Sequence, residues 1–184
     1  MNFLYHGTTE VIGEICFAKC RSRTDFGKGF YMSDKLRIAR DWAVGKPSLD
    51  VKVPTVMRYE INNAIHSDIN IKRLDFSDPT KEWLNFVKDN RRKGKASDII
   101  VEPRHNYDVV SGPIADDKVV DVVVEYCNGL ITVDEAILRI KAMPNVIQTS
   151  FHTNLALSYI SFTSYSQYNN NEWSEWKSSS ELPA

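Results

Sequence analysis

The stretch Asp25–Ala43, DFGKGFYMSDKLRIARDWA, decides how the chain reads. Two glycines frame Lys28, and Phe30, Tyr31 and Met32 then suit a pleated surface, so Gly29–Ser33 is expected as a short strand. Ser33 suits an N-cap and Asp34 suits the positive end of a helix. Leu36, Ala39 and Ala43 fall at i, i+3 and i+7, giving the helix a packing face, and Gly45 with Pro47 ends it. The glycines do not form a dinucleotide-binding loop, which needs a third glycine and a strand before the first. Nor do they form a P-loop, because Gly29 stands where Ser or Thr must follow the lysine. A turn, or the close approach of a flat ligand to the main chain, accounts for them equally.

Working outward, Asn2–Tyr5 is a short β-prone segment that stops at His6-Gly7-Thr8-Thr9. Val51–Ile61 and Ile65–Leu74 read as strands joined by a hairpin turn at Asn62-Asn63. Asp78-Pro79 opens a helix whose buried stripe is Trp83, Phe86 and Val87. Asp89–Ser97 reads as a loop, and Asp98–Val101 and Tyr107–Ser111 as strands before the Gly112-Pro113 break. Val119, Val120, Val123 and Val124 in Asp116–Tyr126 follow helical spacing despite their branching. Thr132-Val133-Asp134-Glu135 is a capping box opening another helix. Val146–Phe151 reads as a strand, Thr153–Ser158 as a helical turn and Tyr159–Phe162 as a last strand. About six or seven short strands with helices inserted among them predict an α+β fold on a mostly antiparallel, split sheet. Residues 1–166 are expected to form one domain, and 167–184 a polar tail that is partly disordered.

The bulk properties narrow the function. Lys and Arg number 23 against 24 Asp and Glu, so no net charge draws the chain to nucleic acid. The basic run Arg91-Arg92-Lys93-Gly94-Lys95 reads as a solvated loop. Cys16, Cys20 and Cys127 lack a zinc spacing, and no other metal constellation or Ser-His-Asp order stands out. Neither a secretion signal nor an apolar run long enough for a membrane span is visible, so a reduced, cytoplasmic protein is expected. Asp116 and Asp117 suit a helix cap. Asp108 could line a cleft, and His152 lies on the same side of a strand as Gln148. Arg21 and Arg23 read equally as an exposed loop or as neutralisers of a pyrophosphate. His6-Gly7 is by itself a strand end and turn, with the potential to hydrogen-bond a ligand.

The motifs in order carry more than any one of them. A strand with His-Gly-Thr, then Gly-Lys-Gly-Phe-Tyr-Met-Ser, then a helix bearing Trp42, then Tyr107–Asp116 (YDVVSGPIAD) and Gln148–Thr153 (QTSFHT), resembles the ADP-ribosyltransferase superfamily. The resemblance is to the His-Tyr-Glu branch that includes diphtheria toxin and the poly-ADP-ribose polymerases. The fuller order of elements resembles a family of uncharacterised bacterial proteins in that superfamily, some of them toxins of toxin–antitoxin pairs. It covers roughly Phe3 to Phe162, and it implies an ADP-ribosyltransferase-like split sheet and NAD⁺ as co-substrate.

By position, the resemblance makes His6, Tyr31 and Gln148 the triad. His6 would bond a ribose hydroxyl of NAD⁺, and Gly7 and Thr8 would line the nicotinamide side. Tyr31 would pack on one face of the nicotinamide ring and Trp42 on the other, a slot suited to a planar cation. Phe26 and Arg21 join the cofactor-binding set. The third position departs from the branch, since glutamine accepts a hydrogen bond but carries no charge and cannot act as a base. Polymer synthesis is therefore not expected. The function implied is transfer of a single ADP-ribose to a protein or nucleic-acid acceptor, by a toxin held in check by a small antitoxin. The alternatives are an inactive NAD- or nucleotide-binding module and an RNA 2′-phosphotransferase-like enzyme.

Overall fold

The computed structural model describes residues 2–45, 52–91, 103–115 and 117–182. In chain order the elements are β1 (Phe3–Thr8), β2 (Phe30–Met32), α1 (Leu36–Val44), β3 (Thr55–Ile61), β4 (Arg73–Asp75) and α2 (Lys81–Arg91). There follow β5 (Val109–Pro113), α3 (Asp117–Cys127), α4 (Val133–Lys141), β6 (Ile147–Phe151), α5 (Asn154–Leu157), β7 (Ile160–Asn169), β8 (Glu172–Trp173) and β9 (Lys177–Ser178). The fold is α+β with mostly antiparallel pairing. The chain divides into two compact units: Met1–Cys16, Tyr31–Asn70 and Asn154–Ala184 form the first, and Phe17–Phe30 with Ile71–Thr153 the second.

In the first unit β3 is the central strand, antiparallel to β1 on one side and β7 on the other. β1 runs through His6 and Gly7 to Thr8, beyond the expected stop at Tyr5, because Thr55 to Glu60 of β3 pair with all six of its residues. The register of β3 and β7 shifts between Arg58 and Tyr59, a bulge that leaves Thr163 as the extra residue. Its hydroxyl donates to the Arg58 carbonyl at 3.0 Å, satisfying an acceptor that the broken ladder exposes. α1 lays Ala39 and Ala43 on Val56, and Tyr5, Leu36, Trp173 and Trp176 close over that cluster. The segment after residue 166 thus packs on the first unit through β8, β9, Trp173 and Trp176. Its tryptophans supply apolar surface that its polar composition conceals.

The expected hairpin at Asn62-Asn63 does not form. The Asn62 side chain accepts from the Ala64 N–H at 3.0 Å and caps a 3-10 turn over Asn63–His66, with Ile65 buried. Asn and Asp side chains compete with the ladder in this way. Of the expected second strand only Arg73 and Leu74 are extended, as part of β4, which pairs in parallel with β5 in the second unit.

The second unit orders β4, β5 and β6, with β5 and β6 antiparallel. Trp83, Leu84 and Val87 of α2 are buried, and the Trp83 indole N–H donates to the Pro113 carbonyl at 3.1 Å. α3 is helical as its valine spacing predicts, burying Val119, Val122 and Val123. Thr132 caps α4, its hydroxyl accepting from the Glu135 N–H at 3.2 Å. Phe26, Phe76 and Phe86 form an aromatic cluster that His105 and Tyr107 extend. Expectations for Arg92–Lys95, for the strand Asp98–Val101 and for Asp116 fall outside the described residues.

Candidate functional site

His6, Gly7, Thr8, Tyr31 and Trp42 all belong to the first unit. The link between β1 and the chain after β2 is made by the main chain: Tyr5 N–H donates to the Ser33 carbonyl at 2.8 Å, and Ser33 N–H to the Tyr5 carbonyl at 2.9 Å. One step along, His6 Nδ1 lies 2.7 Å from the Tyr31 carbonyl oxygen. A carbonyl can only accept, so Nδ1 carries the proton, and in the neutral form of the ring Nε2 is then the acceptor nitrogen. The bond fixes both the tautomer and the ring plane. His6 and Tyr31 are both half-buried, as is Trp42.

Gly7 has a structural cause as well as any ligand role. A Cβ there would stand 2.1 Å from the Ala39 carbonyl oxygen and 3.0 Å from the Trp42 Cβ. The absent side chain lets the α1 backbone seat directly on β1, and that contact carries Trp42 alongside Gly7. Thr8, beside it, is buried.

Gln148 belongs to the second unit, on β6. Gln148, Ser150 and His152 alternate along one face and all three are buried. The polar atoms of that face bind the segment that precedes β2. Gln148 Nε2 donates to Asp25 Oδ2 at 2.6 Å. Asp25 Oδ2 also accepts the Ala115 N–H at 2.9 Å, and Oδ1 accepts from Arg91 Nε at 2.7 Å. Arg91, placed by sequence in a solvated run, is instead the last residue of α2 and the counter-ion of a carboxylate that is 5% exposed.

Two histidines hold the next residues of the same segment. His105 Nε2 donates to the Phe26 carbonyl at 2.8 Å, and its Nδ1 accepts the Tyr107 N–H at 3.2 Å. His152 Nδ1 donates to the Lys28 carbonyl at 2.9 Å, which leaves Nε2 to accept the Ser150 hydroxyl at 2.8 Å. The two rings meet edge to face at 4.6 Å. Burial, chiefly, keeps His152 neutral down to about 4, against the Lys28 hydrogen bond that works the other way, and burial lowers His105 as well.

The two glycines of the opening stretch are explained by these contacts. Gly27 has φ +79°, and a Cβ there would meet Asn90 Oδ1 at 2.7 Å; a Cβ on Gly29 would meet the His152 ring at 2.6 Å. Both approaches are to the protein itself. Phe26 is 0% exposed and packs against Phe76 and Phe86, which holds the segment in place. Arg21 is exposed. Asp108 is occupied locally, accepting from Lys72 N–H at 2.8 Å and from the Thr153 hydroxyl at 2.7 Å.

The sequence grouped His6, Tyr31 and Gln148 and set Tyr31 opposite Trp42; it did not single out Asp25 or His105, nor pair Arg91 with a carboxylate. The alternation of Gln148, Ser150 and His152 was the available signal for a buried polar face. Nothing local marks which distant groups that face binds.

The described family whose pattern fits the chain is "Protein of unknown function (DUF3990)", which matches residues 2–162. The chain belongs to this family. No curated protein and no solved structure gives a significant match. No helix among the described residues is long and apolar enough to cross a membrane.

Proposed function

We propose that this chain is a mono-ADP-ribosyltransferase that cleaves NAD⁺ and transfers a single ADP-ribose to a protein or nucleic-acid acceptor. The observation that carries the reading is the hydrogen bond from His6 Nδ1 to the Tyr31 carbonyl. It joins the two motif residues and aims Nε2 as an acceptor, the role that binding a ribose hydroxyl requires. Tyr31 and Trp42 offer the aromatic faces for nicotinamide, and the seating of α1 on Gly7 fixes where Trp42 begins. The ribosyl–nicotinamide bond of NAD⁺ supplies the group transferred. His6 orients the ribose and the aromatic side chains hold the leaving ring, while Gln148, an amide, cannot act as a base. The acceptor must therefore bring its own nucleophile. The same resemblance suggests a bacterial, cytoplasmic toxin restrained by a small antitoxin.

One observation favours a second reading, a module that binds NAD⁺ or a nucleotide without reacting it: the third triad position is an uncharged amide already engaged by Asp25. Incubating the purified protein with adenine-labelled NAD⁺ and bacterial lysate separates the two. The transferase predicts release of nicotinamide and label on a macromolecule, both lost in His6→Ala and Tyr31→Ala. Binding of NAD⁺ with neither release nor transfer would leave the module.

A further inference from the structure

The carboxylate of Asp25 has a consequence for the residue it touches. An ionised carboxylate has no proton to give, so it receives only donors. Oδ1 takes the Arg91 guanidinium, and Oδ2 takes the Ala115 N–H and the Gln148 amide. The Gln148 side chain must therefore turn Nε2 towards Asp25, and Oε1 is the atom of the amide left to accept from another donor. Donation to a charged acceptor also polarises the amide and strengthens Oε1 as an acceptor. Glutamate in place of glutamine would set a second carboxylate about where Nε2 stands, 2.6 Å from Oδ2. Two carboxylates so close cannot both ionise, and one would hold a proton.

We propose that Asp25 is the positioning residue for Gln148: it fixes the amide with Oε1 as the ligand-facing acceptor, and its charge bars glutamate from position 148. The ligand half of this inference rests on the transferase reading, with a ribose hydroxyl as the donor to Oε1; the exclusion of glutamate does not. The segment Asp25–Gly29 thereby acts on the site through its first residue, not through its glycines.

The test compares the full chain with Gln148→Glu, Asp25→Asn and the exchange Asp25→Asn/Gln148→Glu, by thermal melting from pH 5 to 8 and by NAD⁺ turnover. Gln148→Glu is expected to melt well below wild type at pH 8 and to recover as the pH falls and the pair takes up a proton. The exchange leaves one carboxylate for Arg91, so it should melt above Gln148→Glu at pH 8 and lose the acid recovery. Asp25→Asn lets the amide turn, and should raise KM for NAD⁺ about tenfold with kcat nearly kept, the signature of lost uniform binding. Should Asp25→Asn not fold, Gln148→Met, which keeps the shape and drops Oε1, serves for the KM measurement. A Gln148→Glu protein as stable as wild type at pH 8, with no dependence on the Asp25 exchange, overturns the proposal. So does an unchanged KM in an active Asp25→Asn enzyme. A wild type that releases no nicotinamide counts instead against the transferase reading, and the melting comparison still decides the pairing of Asp25 with Gln148.

Discussion

At the scale of single residues, three glycines show how one sequence signal has different causes. Gly7 is needed because a Cβ would lie 2.1 Å from a helix carbonyl, and Gly29 because one would lie 2.6 Å from an imidazole. Gly27 is needed for its φ of +79° as well. The sequence marks all three as places of close approach but not what approaches, since the partners Ala39 and His152 lie far along the chain. Gly7→Ala should cost about 3 kcal/mol by overpacking against an α1 backbone that cannot yield as a side chain would. Differential scanning calorimetry should then find the melting temperature lowered by roughly 10 °C. His6 was legible as a candidate, whereas its tautomer required the Tyr31 carbonyl. Asp25 was not legible at all, because a lone aspartate before an aromatic is ordinary until Arg91 and Gln148 are brought to it.

At the scale of elements, the face of β6 formed by Gln148, Ser150 and His152 is a buried polar seam, and burial of His152 makes it sensitive to acid. The unfolded chain takes a proton on His152 near 6.5, and the folded chain only near 4. The unfolded state therefore binds more protons between those values, and stability is full above pH 6.5 and is lost as the pH falls towards 4. His152 alone accounts for about 3 kcal/mol of that loss, and His105 adds to it in the same direction. Urea unfolding at pH 7.5 and 4.5 should show this fall, and His152→Gln, which keeps a donor for the Lys28 carbonyl, should flatten it. Equal slopes for the two proteins would place the acid sensitivity elsewhere. Elements with strong internal periodicity, α1, α2, α3 and α4, were readable because burial of one face leaves a pattern in the chain itself. The strand expected at Ile65–Leu74 was not, because the Asn62 cap and the pairing of β4 with β5 depend on competition between local and distant hydrogen bonds.

At the scale of the whole molecule, the family match ends at residue 162, yet the first unit is not complete there. β7 continues to Asn169, and Trp173 and Trp176 return to the Ala39–Ala43–Val56 cluster. Arg58 also lies over the rings of both Trp176 and Phe3, its guanidinium carbon 4.8 Å from each centroid. Truncation after residue 166 should leave that cluster open and the protein aggregating, while Trp176→Ala alone should cost about 3 kcal/mol. Circular dichroism melts of the two proteins check this. The polar composition of the tail hid its role, because two tryptophans among many serines and asparagines weigh little in an average and much in a core. The central claim, that the His6 and Tyr31 pair serves reaction of NAD⁺, is tested most directly by measuring nicotinamide release from NAD⁺ by purified wild type, His6→Ala and Tyr31→Ala, each shown to be folded. Release by wild type that falls at least a hundredfold in both variants is the predicted result. Undetectable release by wild type in the presence of lysate, or equal release by all three, would contradict it.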